Sequence, residues 1–321
     1  MNVSAMDTQG KPWVSFCMST YKRPEFLKEA LEGISRQTFR NFEVIVSDND
    51  PECSGEKIVS SFNDPRFRYF SNDENVGMIR SFNKSIDRST ADYIVMITDD
   101  DPVYENFLSE LNELYQQQKN YSVYAGFLRP KLAAEAVETI TAEDFAAEVL
   151  DVNKTSWMLW SSAVLCKKDV LAIGKIPDYG SPHLADHALL ALTGSMNGAV
   201  IKNKMYSSLS SHDTNFSKFN FNYYTTGCKG FYETMHSFAI TKTAGYKIEN
   251  AVAEHLNTWF ISCMFNLKKY YTVHKNLEML QQVNHCCKEI LDFKFMSSLK
   301  PHYYIKNLVF TIKRTLGLVK I

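Results

Sequence analysis

One apolar run that ends in three consecutive acids decides the fold, Tyr93-Ile94-Val95-Met96-Ile97-Thr98-Asp99-Asp100-Asp101-Pro102. Its apolar part is short and bounded by polar residues, which predicts a buried strand of a parallel sheet. In open α/β sheets the ligand crevice lies outside the carboxyl ends of the strands. Three acids there repel one another unless a cation or ligand relieves them, and Mg²⁺ or Mn²⁺ prefers such oxygen ligands. The ordinary alternative is an exposed acidic turn before a helix.

Strands and helices alternate on both sides of this run. Apolar runs at 14–18, 42–47 and 67–70 predict strands, and helical periodicity at 24–37, 56–62 and 79–86 predicts helices between them. Further along, the pattern predicts a helix at 107–118, a strand at 121–127, a partly helical stretch at 131–154 and a strand at 199–208. This alternation predicts a mostly parallel, doubly wound α/β sheet with helices on both faces. From about residue 230 onward the pattern is mainly helical.

Polar groups follow the predicted strands at several points. Thr20 and Tyr21 follow the first strand, Asp48 the second and Asn75 the third, while the three acids follow the fourth. One acidic loop has an ordinary explanation as a turn. Several such loops at the ligand-binding edge of one sheet predict a shared site.

Composition excludes several classes of protein. The 321 residues are 45% hydrophobic and 22% charged, as in an ordinary globular protein, and a net charge of −1 argues against nucleic-acid binding. Seven scattered cysteines without CxxC spacing predict reduced thiols rather than a zinc ribbon or a disulfide framework. No apolar run has the length of a membrane span and no signal-peptide pattern begins the chain, which predicts a cytoplasmic protein.

The last stretch of the chain predicts a basic amphipathic helix. Residues 293–321 hold six Lys or Arg and no acid. Lys306, Lys313 and Lys320 lie along the edge of an apolar arc, and such a helix suits an anionic membrane surface. Packing against the rest of the chain is the alternative. The residues of the arc are Tyr303, Tyr304, Ile305, Leu308, Val309, Ile312, Leu316 and Val319.

The ordered set of motifs resembles a known family, the inverting GT-A-fold nucleotide-sugar glycosyltransferases of family 2. The resemblance runs through residues 14–24, 42–49, Asn75-x-Gly77 with Asn83, 93–101, Asp186-His187 and Ser211-His212. It covers roughly the first two thirds of the chain. It implies a GT-A domain at 1–228, with a nucleotide-sugar half at about 1–101 and an acceptor half at about 102–228, followed by a helical region at 229–321.

The resemblance also implies the reaction and its partners. A sugar would pass with inversion from a nucleoside-diphosphate sugar, favouring a UDP-sugar, to a hydroxyl of a glycan or lipid-linked saccharide. Mg²⁺ or Mn²⁺ would be the cofactor. Work of this kind in surface-polysaccharide biosynthesis implies a peripheral location on the inner face of the cell membrane.

Site residues are carried over by position. Asp99–Asp101 look like the DXD element, and Thr98 in place of the usual acid leaves open which carboxylate binds the metal. Asp186 matches the catalytic base, and Phe82 stands where many members have Arg. The resemblance implies that the donor is bound by Thr20, Tyr21, Arg23, Asp48, Asn75, Asn83 and Asp99. It implies that the metal is bound by Asp99, Asp100, Asp101 and His212. His183 and His187 are candidates for acceptor binding or for supporting roles.

Other functions fit less well. A nucleotidyltransferase normally has a glycine-rich loop after the first strand, and residues 19–24 contain no glycine. A non-catalytic nucleotide- or sugar-binding module would not need the acids that this chain retains. A dinucleotide-binding enzyme is excluded because no GxGxxG follows a predicted strand. Taken singly, Asp186 also has an ordinary explanation as an acid that favours a helix N-terminus.

Overall fold

A single eight-stranded sheet lies at the centre of the computed structural model, which describes residues 10–210 and 216–319. The first, second and fourth strands along the chain are apolar and almost wholly buried, as expected for strands covered by helices on both faces. The strands are β1 (Val14–Thr20), β2 (Phe42–Asp48), β3 (Phe67–Ser71), β4 (Tyr93–Thr98), β5 (Val123–Gly126), β6 (Val137–Ile140), β7 (Ala163–Cys166) and β8 (Ala199–Lys202).

The order of the strands places the crevice of the sheet beside β1. Across the sheet the order is β3-β2-β1-β4-β7-β5-β8-β6, and β1 pairs in parallel with both β2 and β4. The chain therefore moves outward from β1 in one direction and then in the other. At such a switch point the loops after the two neighbouring strands separate and leave a ligand crevice. Because Ser19 pairs with Thr98, the loop after β1 and the acids after β4 begin at the same level.

Helices follow most of the strands. Pro24 begins the first helix, where its missing N–H costs nothing, and Gly77 precedes the third with a φ of 86° that favours glycine. The helices are α1 (Pro24–Ser35), α2 (Glu56–Ser61), α3 (Met78–Arg88), α4 (Phe107–Gln117), α5 (Phe145–Leu150), α6 (Lys167–Ala172), α7 (Ala185–Asn197), α8 (Asn222–Ala239), α9 (Gly245–Val273), α10 (Leu277–Asp292) and α11 (Lys300–Thr315).

The two faces of the sheet carry separate hydrophobic cores. Along β1, Phe16 packs in the core that contains Leu27 of α1, whereas the next residue, Cys17, packs in the core that contains Ile79 of α3. This alternation follows from the two-residue period of a strand. The predicted sheet with helices on both faces is confirmed.

Two features of the sheet differ from the sequence expectation. The stretch 131–154 was expected to be partly helical, and helix α5 confirms this, but the same stretch also contributes the edge strand β6, which was not expected. Its Val137-Glu138-Thr139-Ile140 run has β-branched residues that favour a strand, but the surrounding alanines and acids obscured that signal. Strand β7 is antiparallel to both β4 and β5, because the chain returns to the sheet after α5 from the opposite end.

The C-terminal third is mainly helical, as predicted. Helix α9 packs against α5, α8 and α10, so this region joins the core on one face of the sheet. The predicted domain boundary after residue 228 falls within α8, and the division into two domains remains a prediction. Among the described helices, none combines the length and the apolar character needed to cross a bilayer.

Helix α11 is attached along one edge only. Lys268 of α9 donates to the Tyr303 hydroxyl over 2.6 Å and to Asn307 Oδ1 over 2.8 Å, and Phe310 is buried further along the same edge. The remaining apolar side chains of the helix are exposed by between 46% and 65%. The described part of the chain therefore leaves this apolar face uncovered. The exposed residues are Tyr304, Ile305, Leu308, Val309 and Ile312, with Leu316 just beyond the helix.

Candidate active site

The loops after β1 and β4 are joined by an arginine. Arg23, immediately before α1, donates to Asp99 Oδ1 over 2.8 Å and to Asp100 Oδ2 over 2.7 Å. Thr20, the last residue of β1, donates to the other oxygen of Asp99 over 2.8 Å. The structure therefore brings together three of the predicted donor-binding residues and two of the predicted metal ligands.

Burial perturbs Asp99 and Asp101. It raises the pKa of Asp99 to about 6, although the Arg23 guanidinium opposes the shift. It likewise raises the pKa of Asp101 to about 6, and the negative charges of Asp100 and Asp186 add to the rise. Buried, neighbouring carboxylates repel one another when they are ionised, and a bound cation would stabilise their ionised form.

The raised pKa of Asp101 predicts an effect on stability. The carboxyl of Asp101 titrates near pH 4 in the unfolded chain and near pH 6 in the fold, so the folded protein binds this proton more tightly. The resulting contribution to the free energy of unfolding is complete below about pH 4 and is lost as the pH rises through about 6. In EDTA, Asp101→Asn should therefore raise the free energy of unfolding by about 1–3 kcal/mol at pH 8 and by much less at pH 4. Urea unfolding at the two pH values measures this difference. An equal change at both would show that the burial of charge is not responsible.

The carboxylate oxygens of these acids are ligands of the kind that Mg²⁺ and Mn²⁺ prefer. In the described residues no three His, Cys, Asp or Glu side chains form a ready-made metal cluster. Mg²⁺ rarely needs one, because it is commonly bound by one or two carboxylates and completed by substrate phosphates. Arg23 already bonds to both Asp99 and Asp100, so which of the three carboxylates would hold the cation stays open.

Asp48 lies at the end of β2 and is fully buried. Its Oδ2 accepts hydrogen bonds from the Gly55 amide over 2.8 Å and from the Tyr69 hydroxyl over 2.9 Å, and its Oδ1 accepts one from the Asp50 amide over 3.0 Å. These bonds fold the loop after β2 around the carboxylate. A side chain at Gly55 would collide with Asp48 and Leu27. The predicted bond from Asp48 to a nucleotide base remains a prediction.

The two predicted asparagines take part in loop structure. Asn75 Oδ1 accepts from Asn49 over 2.6 Å and from the Gly77 amide over 3.0 Å, which shapes the entry to α3. Asn83 on α3 uses its amide to donate to the Ile176 carbonyl and to accept from the Ile176 amide. Tyr21 is 42% exposed beside the crevice loop. Donor binding by these three residues remains a prediction.

Asp186 lies in the first turn of α7, close enough to the acids after β4 to raise the pKa of Asp101. The residue before the helix, Leu184, is buried with a φ of 64°, a strained conformation for a leucine that is typical of functional sites. Burial raises the pKa of Asp186 to about 6. A carboxylate with this pKa is a competent general base near neutral pH.

Two predicted histidines flank Asp186. The ring of His183 stacks on Tyr224 at 4.0 Å, and its buried Nε2 has no hydrogen-bond partner among the described residues. His187 Nε2 lies 3.7 Å from Asp186 Oδ2, and His187 Nδ1 lies 2.7 Å from Nε2 of His255 on α9. Sequence reasoning did not identify His255, because no motif marks its surroundings. His212 lies outside the described residues, so its predicted role in metal binding remains a prediction.

The part of the chain that carries β1 to β4 and the acids after β4 is similar to known proteins. Residues 15–141 match the model of the family described as glycosyl transferase family 2. The putative colanic acid biosynthesis glycosyl transferase WcaA of Escherichia coli is 35% identical over 104 residues, which cover 32% of this chain and 37% of WcaA. The matched part of the chain spans about a third of the length of the first curated relatives.

Solved structures match over nearly the whole chain. Staphylococcus aureus TarS 1–349, solved with UDP-GlcNAc, has a TM-score of 0.61 and 13% identity, and covers 91% of this chain and 92% of TarS. The mannosyltransferase PcManGT of Pyrobaculum calidifontis, solved with GDP-Man and Mn²⁺, has a TM-score of 0.54 and 13% identity, with 95% and 89% covered. At these identities the likeness establishes the fold.

Proposed function

We propose that this chain is a metal-dependent inverting glycosyltransferase, because residues 15–141 match the model of glycosyl transferase family 2. It transfers a sugar from a nucleoside-diphosphate sugar to a hydroxyl of a glycan or lipid-linked saccharide. The observation that carries the proposal is the bonding of Arg23 to Asp99 and Asp100 at the switch point of the sheet, with Asp186 close enough to raise the pKa of Asp101. A crevice at this position is where an open α/β sheet binds its ligand.

The donor is proposed to lie over the ends of β1, β2 and β4. Its base and ribose would face the loops of Thr20, Tyr21 and Asp48, with Asn75 and Asn83 at the rim. A UDP-sugar is the favoured donor, and the structural likeness to a TarS complex with UDP-GlcNAc supports testing it first. GDP-sugars are the natural comparison, because PcManGT was solved with GDP-Man.

Departure of the nucleoside diphosphate requires neutralisation of the negative charge that develops on it. Asp100 and Asp101 would hold a divalent cation, with Asp99 and His212 as further candidates, and the bound cation would act as a Lewis acid towards the diphosphate. Arg23 supplies a fixed positive charge at the same place and keeps Asp99 and Asp100 together. Its guanidinium also lies 4.3 Å from the Phe26 ring, which supports its orientation.

Removal of the acceptor proton is assigned to Asp186. For inversion by single displacement, the base must lie on the face of the sugar opposite the leaving diphosphate. The N-terminal turn of α7 holds Asp186 near Asp101 yet on a separate element, as this arrangement needs. The neighbouring rings of His183 and His187 are proposed to line the acceptor side.

The acceptor is proposed to be presented at the inner face of the cell membrane. The support is the uncovered apolar face of α11, bordered by Lys306 and Lys313. A helix of this kind lies in the plane of an anionic lipid surface, with its apolar side chains inserted at the headgroup boundary. The name of the relative WcaA refers to colanic acid biosynthesis, which supports a saccharide acceptor for this chain.

The donor site is tested by calorimetric titration of UDP, GDP, CDP and dTDP, each with and without Mn²⁺. We expect one nucleotide to bind in a metal-dependent manner to the wild-type protein. Asp100→Ala should lose this metal-dependent binding. Asp87→Ala, on the exposed end of α3, is the matched control and should bind as the wild type does. Absence of nucleotide binding under every condition would overturn the donor site and favour a non-catalytic binding module.

A further inference from the structure

Two histidines beside Asp186 form a hydrogen-bonded pair between separate helices. His187 belongs to α7 and His255 to α9, and the 2.7 Å between His187 Nδ1 and His255 Nε2 is the distance of a strong hydrogen bond. The rings are nearly perpendicular, at 72°. A bond of this kind between two neutral imidazoles requires one nitrogen to carry a hydrogen and the other to be bare.

The surroundings of His255 decide which nitrogen carries the hydrogen. The backbone carbonyl of Leu150, on α5, stabilises a proton on His255, and a carbonyl can only accept. If the remaining nitrogen of His255 donates to this carbonyl, its Nε2 is bare and accepts from Nδ1–H of His187. Neutral His187 then has a bare Nε2. This nitrogen is the one that faces Asp186 Oδ2 at 3.7 Å.

Both rings are neutral at physiological pH. Burial lowers the pKa of His187 to about 4, and burial together with His187 lowers the pKa of His255 to about 3. Among the acids of the described residues, Asp186 raises the pKa of His255, and it also raises the pKa of Asp101 and of Tyr179. The pair therefore presents a hydrogen-bond acceptor to Asp186 rather than a positive charge.

We propose that His255 holds His187 in the tautomer whose bare Nε2 faces the Asp186 carboxyl at 3.7 Å, and so raises the affinity of Asp186 for a proton and strengthens it as the base. This rests on the proposed function. In the transfer the acceptor O–H bond breaks, its proton passes to Asp186, and the acceptor oxygen bonds to the anomeric carbon while the diphosphate leaves with the bonding electrons. A bare nitrogen favours the protonated carboxyl over the carboxylate. His187 and His255 are thus positioning residues.

The tautomer is tested without any substrate. Long-range ¹H–¹⁵N spectra of the histidine rings at pH 7, assigned with His187→Phe and His255→Phe, distinguish a bare from a protonated nitrogen. We expect His187 to carry its hydrogen on Nδ1. A hydrogen on Nε2 would overturn the proposal, because His187 would then donate to the Asp186 carboxylate and weaken the base. This readout is independent of catalysis, so it stands even if the proposed function fails.

The effect on the base is tested by pH profiles. In His255→Phe, His187 loses its acceptor and is free to donate to Asp186, so the acid limb of kcat/KM should move down by about one pH unit. We expect kcat to fall about tenfold with the donor KM unchanged. His255→Gln retains an accepting oxygen and should keep the wild-type limb. His285→Phe, an exposed histidine on α10, is the control.

The outcomes separate the two proposals. An unchanged acid limb in folded His255→Phe overturns the role of the pair even if the enzyme transfers sugar. Absence of transfer by the wild-type protein with any donor that it binds overturns the proposed function, while the ring spectra still decide the tautomer.

Discussion

Asp186→Asn should lower the rate of sugar transfer by about 10²- to 10⁴-fold and leave nucleotide binding unchanged. An amide has the shape of the carboxyl group but cannot take the proton of the acceptor hydroxyl. The side chain lies in the first turn of α7, apart from the loops proposed to hold the nucleotide. Loss of its charge should lower the pKa of Asp101, which is ionised at pH 8 in either case, so donor affinity at that pH should not change. The rate is measured as release of nucleoside diphosphate from the donor identified by titration, with saccharide acceptors or water.

Asp178→Asn is the matched control for this prediction. Asp178 lies in the loop before α7 and pairs on the surface with Arg80 over 2.8 Å. Its replacement removes one carboxylate from the same region and should leave turnover unchanged. Full turnover by Asp186→Asn would exclude Asp186 as the base, and parallel loss of nucleotide binding would indicate a structural role instead.

The sequence alone predicted the part of the site that follows from the parallel sheet. Continuous apolar runs mark buried parallel strands, and the carboxyl ends of such strands share one edge. The acids after β4 were therefore expected near Thr20, and the bond from Thr20 to Asp99 shows that they are. The run of motifs in family order also agrees with the match of residues 15–141 to family 2.

Contacts between distant side chains were not predictable in this way. Arg23 was assigned to the donor, but its bonds to Asp99 and Asp100 depend on the lengths of two loops, which periodicity does not report. His255 is 68 residues from His187 along the chain. It lies on an amphipathic helix, where a histidine is an ordinary polar residue and gives no signal of a functional role. The inward bonds of Asp48 to Tyr69 and Gly55 likewise arise from the tertiary fold.

Replacing Ile305, Leu308 and Ile312 with serine should weaken binding to anionic vesicles by about 10²-fold. These side chains are 65%, 62% and 50% exposed, so insertion into the headgroup boundary would bury apolar area that the fold leaves in water. At roughly 1 kcal/mol for each side chain, the loss is about 3 kcal/mol. Tyr303 and Phe310, which attach α11, are unchanged, so the fold should persist. Vesicle co-sedimentation at several lipid concentrations gives the partition coefficients.

A second triple variant separates this surface from exposed apolar area in general. Val137, Leu171 and Ile240 are 45%, 46% and 70% exposed and lie outside α10 and α11, so their replacement with serine should leave vesicle binding unchanged. Binding should also weaken with salt and in zwitterionic vesicles, because each basic residue near an anionic surface contributes about 1 kcal/mol. If the α11 variant binds as tightly as the wild type, or if removal of residues 301–321 has no effect, the membrane contact is wrong. The acceptor would then have to reach the crevice without help from this helix.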